Sequence, residues 1–188
     1  FALPKLIVFD DSENVLPKRN WSVPALEIQA EAAVVMRPDA NRIYYNKNME
    51  VRRPIASLTK LMTAIIVLEN YNLNDVIKIS EKNLAREGLQ GDLRLNEEIS
   101  VRSLLAIMLI DSSNDAASAL ASKRIDFTLL MNKKAKDLGF KNTQFVNADG
   151  LDEDLNYSSA LDIAKIFSYL INTHPEILDI LKTKNMVV

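Results

Sequence analysis

Pro54-Ile55-Ala56-Ser57-Leu58-Thr59-Lys60-Leu61-Met62-Thr63-Ala64 is the stretch on which the reading of this chain turns. Pro54 suits a first helical turn, where the N–H it lacks has no partner to lose. The spacing predicts a helix from there to about Asn70. From Leu61 to Leu68 that helix is apolar on nearly every face, broken only by Thr63, so it belongs in the middle of a domain. Ser57 and Lys60 stand three residues apart, which on a helix puts their Cβ atoms roughly 5–6 Å from each other. A neutral lysine amine at that range can take the proton of a serine hydroxyl, so a serine–lysine hydrolase is the leading expectation.

The surroundings strengthen the pair. Ser57 falls in the first helical turn, where free backbone N–H groups favour developing negative charge. Lys60 opens the buried run, and partial desolvation lowers a lysine pKa from its reference of about 10.4. The plainer reading is a capping serine and a lysine whose charged head reaches water along its own stem. That reading explains the residue types but not a costly lysine at the mouth of a core helix. Ser-x-x-Lys alone is weak, because a chain of this length and composition holds about one match by chance.

Composition removes most other chemistries. The 188 residues include one histidine, His174, and no cysteine, which excludes disulfides, thiolate zinc sites, cysteine proteases and multi-histidine metal centres. No metal or cofactor is expected. A net charge of −2 without a basic stripe gives no reason to expect nucleic acid as a partner. No run approaches the roughly 20 apolar residues of a membrane span. The chain begins at Phe1, and the expectation is that an N-terminal piece, with any signal peptide or membrane anchor, lies outside it.

The length suits one domain. Residues 1–24, with Pro4, Pro17 and Pro24, read as an irregular leader or linker, and 25–188 as the catalytic domain. Ala32–Met36 and Ile43–Tyr45 read as a hairpin across the turn Pro38-Asp39-Ala40-Asn41. Asp75–Ile79 reads as a short strand. Ser100 caps a helix to about Leu109, a second runs from about Asp115 to Ser122, and a third from about Asp126 to Leu138 stops at Gly139. Ser159 and Asp162 resemble a capping box opening a helix to about Asn172. His174-Pro175 restarts a short helix to about Leu181, and Met186-Val187-Val188 looks like the start of a strand. His174 has no plausible partner nearby in sequence and reads as structural. Asp152-Glu153-Asp154 reads as a solvated acidic loop whose spacing does not fit a calcium loop.

Asp111-Ser112-Ser113-Asn114 breaks two apolar helices, and such a polar loop can present a hydroxyl and a carboxamide to a cleft. Taken alone, it also reads as a helix–helix corner with Asn114 as N-cap. Longer strings go further. Ala33–Met36, Arg53–Ala64, Met108–Ala117, Phe145-Val146-Asn147, Gly150-Leu151-Asp152 and Ser158–Ala164 together resemble the D-alanyl-D-alanine carboxypeptidases, the low-molecular-weight penicillin-binding proteins. They follow the family's order over roughly residues 30–185.

The resemblance implies an α/β (α+β) fold of the DD-peptidase and β-lactamase type, with an antiparallel sheet flanked by helices beside a mainly helical subdomain. It implies Ser57 as acyl-accepting nucleophile, Lys60 as proton acceptor, Ser112 as proton relay and Asn114 as the group that orients the substrate carbonyl. The Ser57 N–H would form half of an oxyanion hole. The implied partners are a peptidoglycan stem peptide ending in D-Ala-D-Ala and β-lactam antibiotics, met on the exported side of the membrane. Two departures stand against it. The family's Lys-Thr-Gly motif is absent, Lys182-Thr183-Lys184 lacking the glycine, and the sheet is therefore expected to be incomplete. The link from Ala121 to Phe127 is also shorter than is usual in the family. A catalytically inactive homologue that binds peptidoglycan or a partner, and a β-lactamase, are the alternatives.

Overall fold

The computed structural model describes residues 20, 22–24, 26–39, 42–151 and 153–182. The expected turn residues Ala40 and Asn41, Asp152, Thr183-Lys184, the terminal Met186–Val188 and most of the leader lie outside the described residues.

Helix α1 (Thr59–Asn70) is the axis of the molecule. Its Met62, Ala64, Ile65 and Val67 side chains are fully buried. Burial of Met62, Ile65 and Val67 stabilises the fold by roughly 1.5–3 kcal/mol each relative to exposure. Four helices pack around it: α3 (Val101–Ile110), α4 (Asn114–Ser122), α5 (Phe127–Asp137) and α6 (Ala160–Thr173). A short α7 (Ile177–Leu181) follows α6 and buries Ile177 and Ile180 against the same core. The all-round apolar pattern of Leu61 to Leu68 is thus met by neighbours on every side.

Among the described residues the strands form three separate antiparallel pairs rather than one continuous sheet. The expected hairpin is β1 (Ala33–Met36) on β2 (Ile43–Lys47), with Val35 opposite Tyr45 and a register shift at Met36. β4 (Val76–Lys78) pairs with β5 (Glu98–Ser100). Ser100 then caps α3, its hydroxyl oxygen accepting the Ser103 N–H at 3.1 Å. Between these strands lies α2 (Glu81–Leu84), opened by a capping box in which Ser80 and Asn83 exchange side-chain and backbone hydrogen bonds. Neither β5 nor α2 is foreseen in the sequence.

The start of the central helix is a correction. Arg53–Pro54 is a strand, β3, paired with β6 (Tyr157–Ser158), so Pro54 does not begin a helix. Ala56 has φ +43, outside the right-handed helical region, so α1 cannot run back through it, and a single 3-10 turn over Ala56–Leu58 precedes α1. Proline fits the strand because at an edge its missing N–H leaves no ladder bond unmade.

Candidate functional site

Ser57 lies in the 3-10 turn and is exposed, whereas Lys60 is 3% exposed. The lysine does not snorkel. Its Nζ donates to Ser57 Oγ at 3.3 Å, to Asn114 Oδ1 at 2.7 Å and to the backbone carbonyl of Asp149 at 2.5 Å. As an ammonium it satisfies all three of its hydrogens. As a neutral amine it keeps two of them on the two shorter bonds, and its lone pair then faces Ser57 Oγ. Burial pushes the Lys60 pKa below the ordinary lysine value, with the Asp149 carboxylate pulling it partly back.

Three segments converge on this amine. From α4 comes Asn114. Its neighbour Ser113, not Asn114 itself, caps that helix by accepting the Ala116 N–H at 3.0 Å. The Asn114 carboxamide is held in one orientation because its Nδ2 donates to the Glu87 carbonyl at 2.6 Å, which leaves Oδ1 for Lys60. The Asn114 N–H donates to the Leu89 carbonyl at 2.7 Å. Gly88, at φ +91, lets this segment lie flat on Asn114; a Cβ there would meet Nδ2 at 2.5 Å.

The second segment is the loop Asn147–Leu151. Asn147 Oδ1 accepts the Gly150 N–H at 2.8 Å, and Asn147 Nδ2 returns to the Leu151 carbonyl at 2.9 Å. Thr63, one turn beyond Lys60, donates to the Ala148 carbonyl at 2.7 Å. A Cβ on Gly150 would lie 2.0 Å from the Ala56 carbonyl oxygen. Only glycine fits there, since its φ is +85 as well. Asn156 anchors the loop's far side by donating to Thr59 Oγ1 at 2.9 Å.

The third is the turn that carries Ser57. Among the described residues no carbonyl accepts the Ser57 N–H. Ser112 stands apart from the other three. It is half-buried at the α3–α4 corner in the left-handed region, φ +56, and no hydrogen bond joins it to Ser57, Lys60 or Asn114. Ala56, just before Ser57 in the chain, is likewise at positive φ, +43, a conformation that costs a non-glycine residue about 1–2 kcal/mol.

Sequence reasoning assigned no role to Thr63, Asp149 or Gly150. The strings Phe145-Val146-Asn147 and Gly150-Leu151-Asp152 pointed to the right region, but nothing in them told which backbone carbonyl would face the lysine. His174 does have partners. Nδ1 lies 3.4 Å from Glu176 and Nε2 3.8 Å from Glu69, remote from the lysine site along the chain. Among the described residues no group of three or more His, Cys, Asp or Glu side chains could hold a metal ion.

The family profile Peptidase_S11, described as D-alanyl-D-alanine carboxypeptidase, matches residues 19–188. The chain belongs to this family. It is 39% identical over 145 residues to the D-alanyl-D-alanine carboxypeptidase DacF of Bacillus subtilis, a match covering 72% of this chain and 37% of the relative. It is 36% identical over 146 residues to a D-alanyl-D-alanine endopeptidase of Escherichia coli, covering 74% of this chain and 47% of that protein. Penicillin-binding protein 5 from Haemophilus influenzae superposes with a TM-score of 0.82 at 31% identity, over 88% of this chain and 52% of that one. The chain thus spans about half or less of the length of these relatives. The fold is the DD-peptidase fold, and among the described residues its strands form three separate pairs.

Proposed function

We propose that the protein is a serine-type D-Ala-D-Ala carboxypeptidase acting on peptidoglycan stem peptides, with Ser57, Lys60, Ser112 and Asn114 as its reacting and orienting groups. The observation that carries this reading is the Lys60 amine held by Asn114 Oδ1 and the Asp149 carbonyl, with its third direction on Ser57 Oγ.

Ser57 Oγ attacks the penultimate D-alanine carbonyl carbon and passes its proton to the neutral Lys60 amine. The oxyanion forms beside the Ser57 N–H. Collapse breaks the peptide bond, and the departing D-alanine nitrogen takes the proton back from Lys60. The family pattern gives Ser112 the relay here or in deacylation, a contact that bound substrate has to bridge because no hydrogen bond joins Ser112 to Lys60. Water then attacks the acyl carbon, loses a proton to Lys60, and Ser57 leaves with that proton restored. A β-lactam carbonyl offers the same electrophile, so penicillins acylate the same oxygen. Because the substrate is cell wall, the working location is the exported side of the cytoplasmic membrane. Among the described residues no helix is long and apolar enough to cross a membrane.

The test is to incubate the full-length protein with a fluorescent penicillin, digest it and locate the label. Label on the peptide bearing Ser57, together with D-alanine release from a pentapeptide, is the expected result. Label elsewhere or nowhere overturns the assignment, and rapid multiple-turnover penicillin hydrolysis would make the protein a β-lactamase instead.

A further inference from the structure

Asp149 faces two cations in opposite ways. Its backbone carbonyl accepts from Lys60 Nζ at 2.5 Å, while its carboxylate, only 3% exposed, accepts from Arg86. Both Arg86 Nε, at 2.6 Å, and Nη2, at 2.5 Å, converge on Oδ2. Oδ1 accepts the Leu151 N–H, at 3.1 Å. Arg86 lies just past α2, on the segment whose Glu87 and Leu89 carbonyls hold Asn114.

We propose that Arg86 is a positioning residue for the Lys60 base: by pairing with the Asp149 carboxylate it keeps that carboxylate from becoming the counter-ion of the Lys60 ammonium. This rests on the acylation chemistry proposed above. An arginine stays charged at every accessible pH. A carboxylate this buried is costly without a cation, and with Arg86 gone the cation at hand is Lys60. Its amine is already drawn partly back toward the ordinary lysine range by Asp149. The other charged groups on the converging segments are otherwise placed. Glu87 is exposed. Asp115, on α4, accepts the Gly91 N–H at 3.0 Å and the Ser113 hydroxyl. After Lys60, the next charge on α1 is Glu69, near its far end.

The experiment is the pH dependence of penicillin acylation in the full-length protein for wild type, Arg86→Gln, Asp149→Asn and the double variant. Arg86→Gln is expected to move the limb that reports Lys60 deprotonation up by about one pH unit, a roughly tenfold loss near neutrality that is recovered at high pH. Asp149→Asn is expected to move it down, and the double variant to return close to wild type. A pH-independent loss in Arg86→Gln, or losses that add in the double variant, overturns the proposal. Should Arg86→Gln fail to fold, Asp149→Asn and the double variant still decide. A second readout needs no substrate, namely NMR titration of the Lys60 resonance in protein labelled with [6-13C]lysine. A Lys60 titration that rises in Arg86→Gln without acylation in any variant supports this inference and sinks the proposed activity. Acylation with an unmoved Lys60 titration does the reverse.

Discussion

Lys60 Nζ and the backbone carbonyl of Asp149 lie 2.5 Å apart across 89 residues of sequence. A carbonyl can only accept, so this bond and the one to Asn114 Oδ1 hold two of the amine hydrogens whatever the protonation state. The third direction, toward Ser57, is the one that changes when the proton leaves. The acceptor belongs to the main chain, so its place depends on the path of the Asn147–Leu151 loop rather than on the side chain at 149.

Gly150→Ala tests that path directly. The new Cβ would meet the Ala56 carbonyl at 2.0 Å, in a backbone conformation of φ +85 that alanine resists. The expected loss is about 2 kcal/mol or more of stability. Penicillin acylation falls with it, because relief of the clash moves Ala56 and therefore Ser57. Urea denaturation beside an acylation rate measures both, and an unchanged midpoint would show that the loop adapts freely.

Asn114→Asp keeps the shape and changes the charge. The carboxylate faces the Lys60 ammonium and stabilises it, while the Glu87 carbonyl loses its donor. Acylation near neutral pH is expected to drop at least about tenfold, with its rising limb displaced to higher pH. Asn114→Ala, which adds no charge, lowers the rate without that upward displacement. Stopped-flow acylation across pH separates the two.

Lys60→Met removes the base. Acylation is expected to fall by about 10²–10⁴, the range a positioned general base supplies, with no recovery at any pH. Stability follows the opposite sense. The folded-state pKa of Lys60 lies below its unfolded value of 10.5, so the ammonium's burial penalty is fully present below the folded pKa. That penalty fades as pH rises toward 10.5. Wild type should therefore gain on Lys60→Met between neutral pH and pH 10, read from urea midpoints.

Glu69 gives a prediction away from the site. Burial alone would raise its carboxyl pKa, but hydrogen bonds from Lys134 and Tyr169 and the charges of Lys134 and His174 outweigh that and leave it lowered from 4.5. Lys134 Nζ lies 2.6 Å and Tyr169 Oη 2.7 Å from Glu69 Oε1, which ties α1 to α5 and α6. A lowered carboxyl pKa contributes stability that is complete above the unfolded value and lost as pH falls through the folded one. Glu69→Gln should thus be less stable than wild type at pH 7, with the gap closing toward pH 3 in thermal melts.

The elements legible in the sequence were those with long apolar periods or strong caps. The α1 core, the Ser100 and Ser159 N-caps and the stop at Gly139 stand as read. Ser159 and Asp162 form no capping box, because the Asp162 carboxylate accepts from the Asn142 N–H and the Thr143 hydroxyl instead. Pro54 misled because proline suits a helix start and an edge strand equally, and only the pairing with Tyr157 selects between them. The short strands β3, β5 and β6 and the one-turn helix α2 carry too few residues for a period to show. Asn114 looked like a cap, yet Ser113 takes that role and frees the carboxamide for Lys60.

By itself the sequence placed a serine and a lysine three residues apart at the mouth of a buried helix, because such a spacing is local geometry. It also determined the family, through strings strung along most of the chain. Which oxygen atoms would fix the lysine, and that Arg86 would neutralise the carboxylate beside it, was decided only by the tertiary structure. Those contacts join residues tens of positions apart, and their distances follow from how helices and loops pack, which no local pattern of residue types encodes.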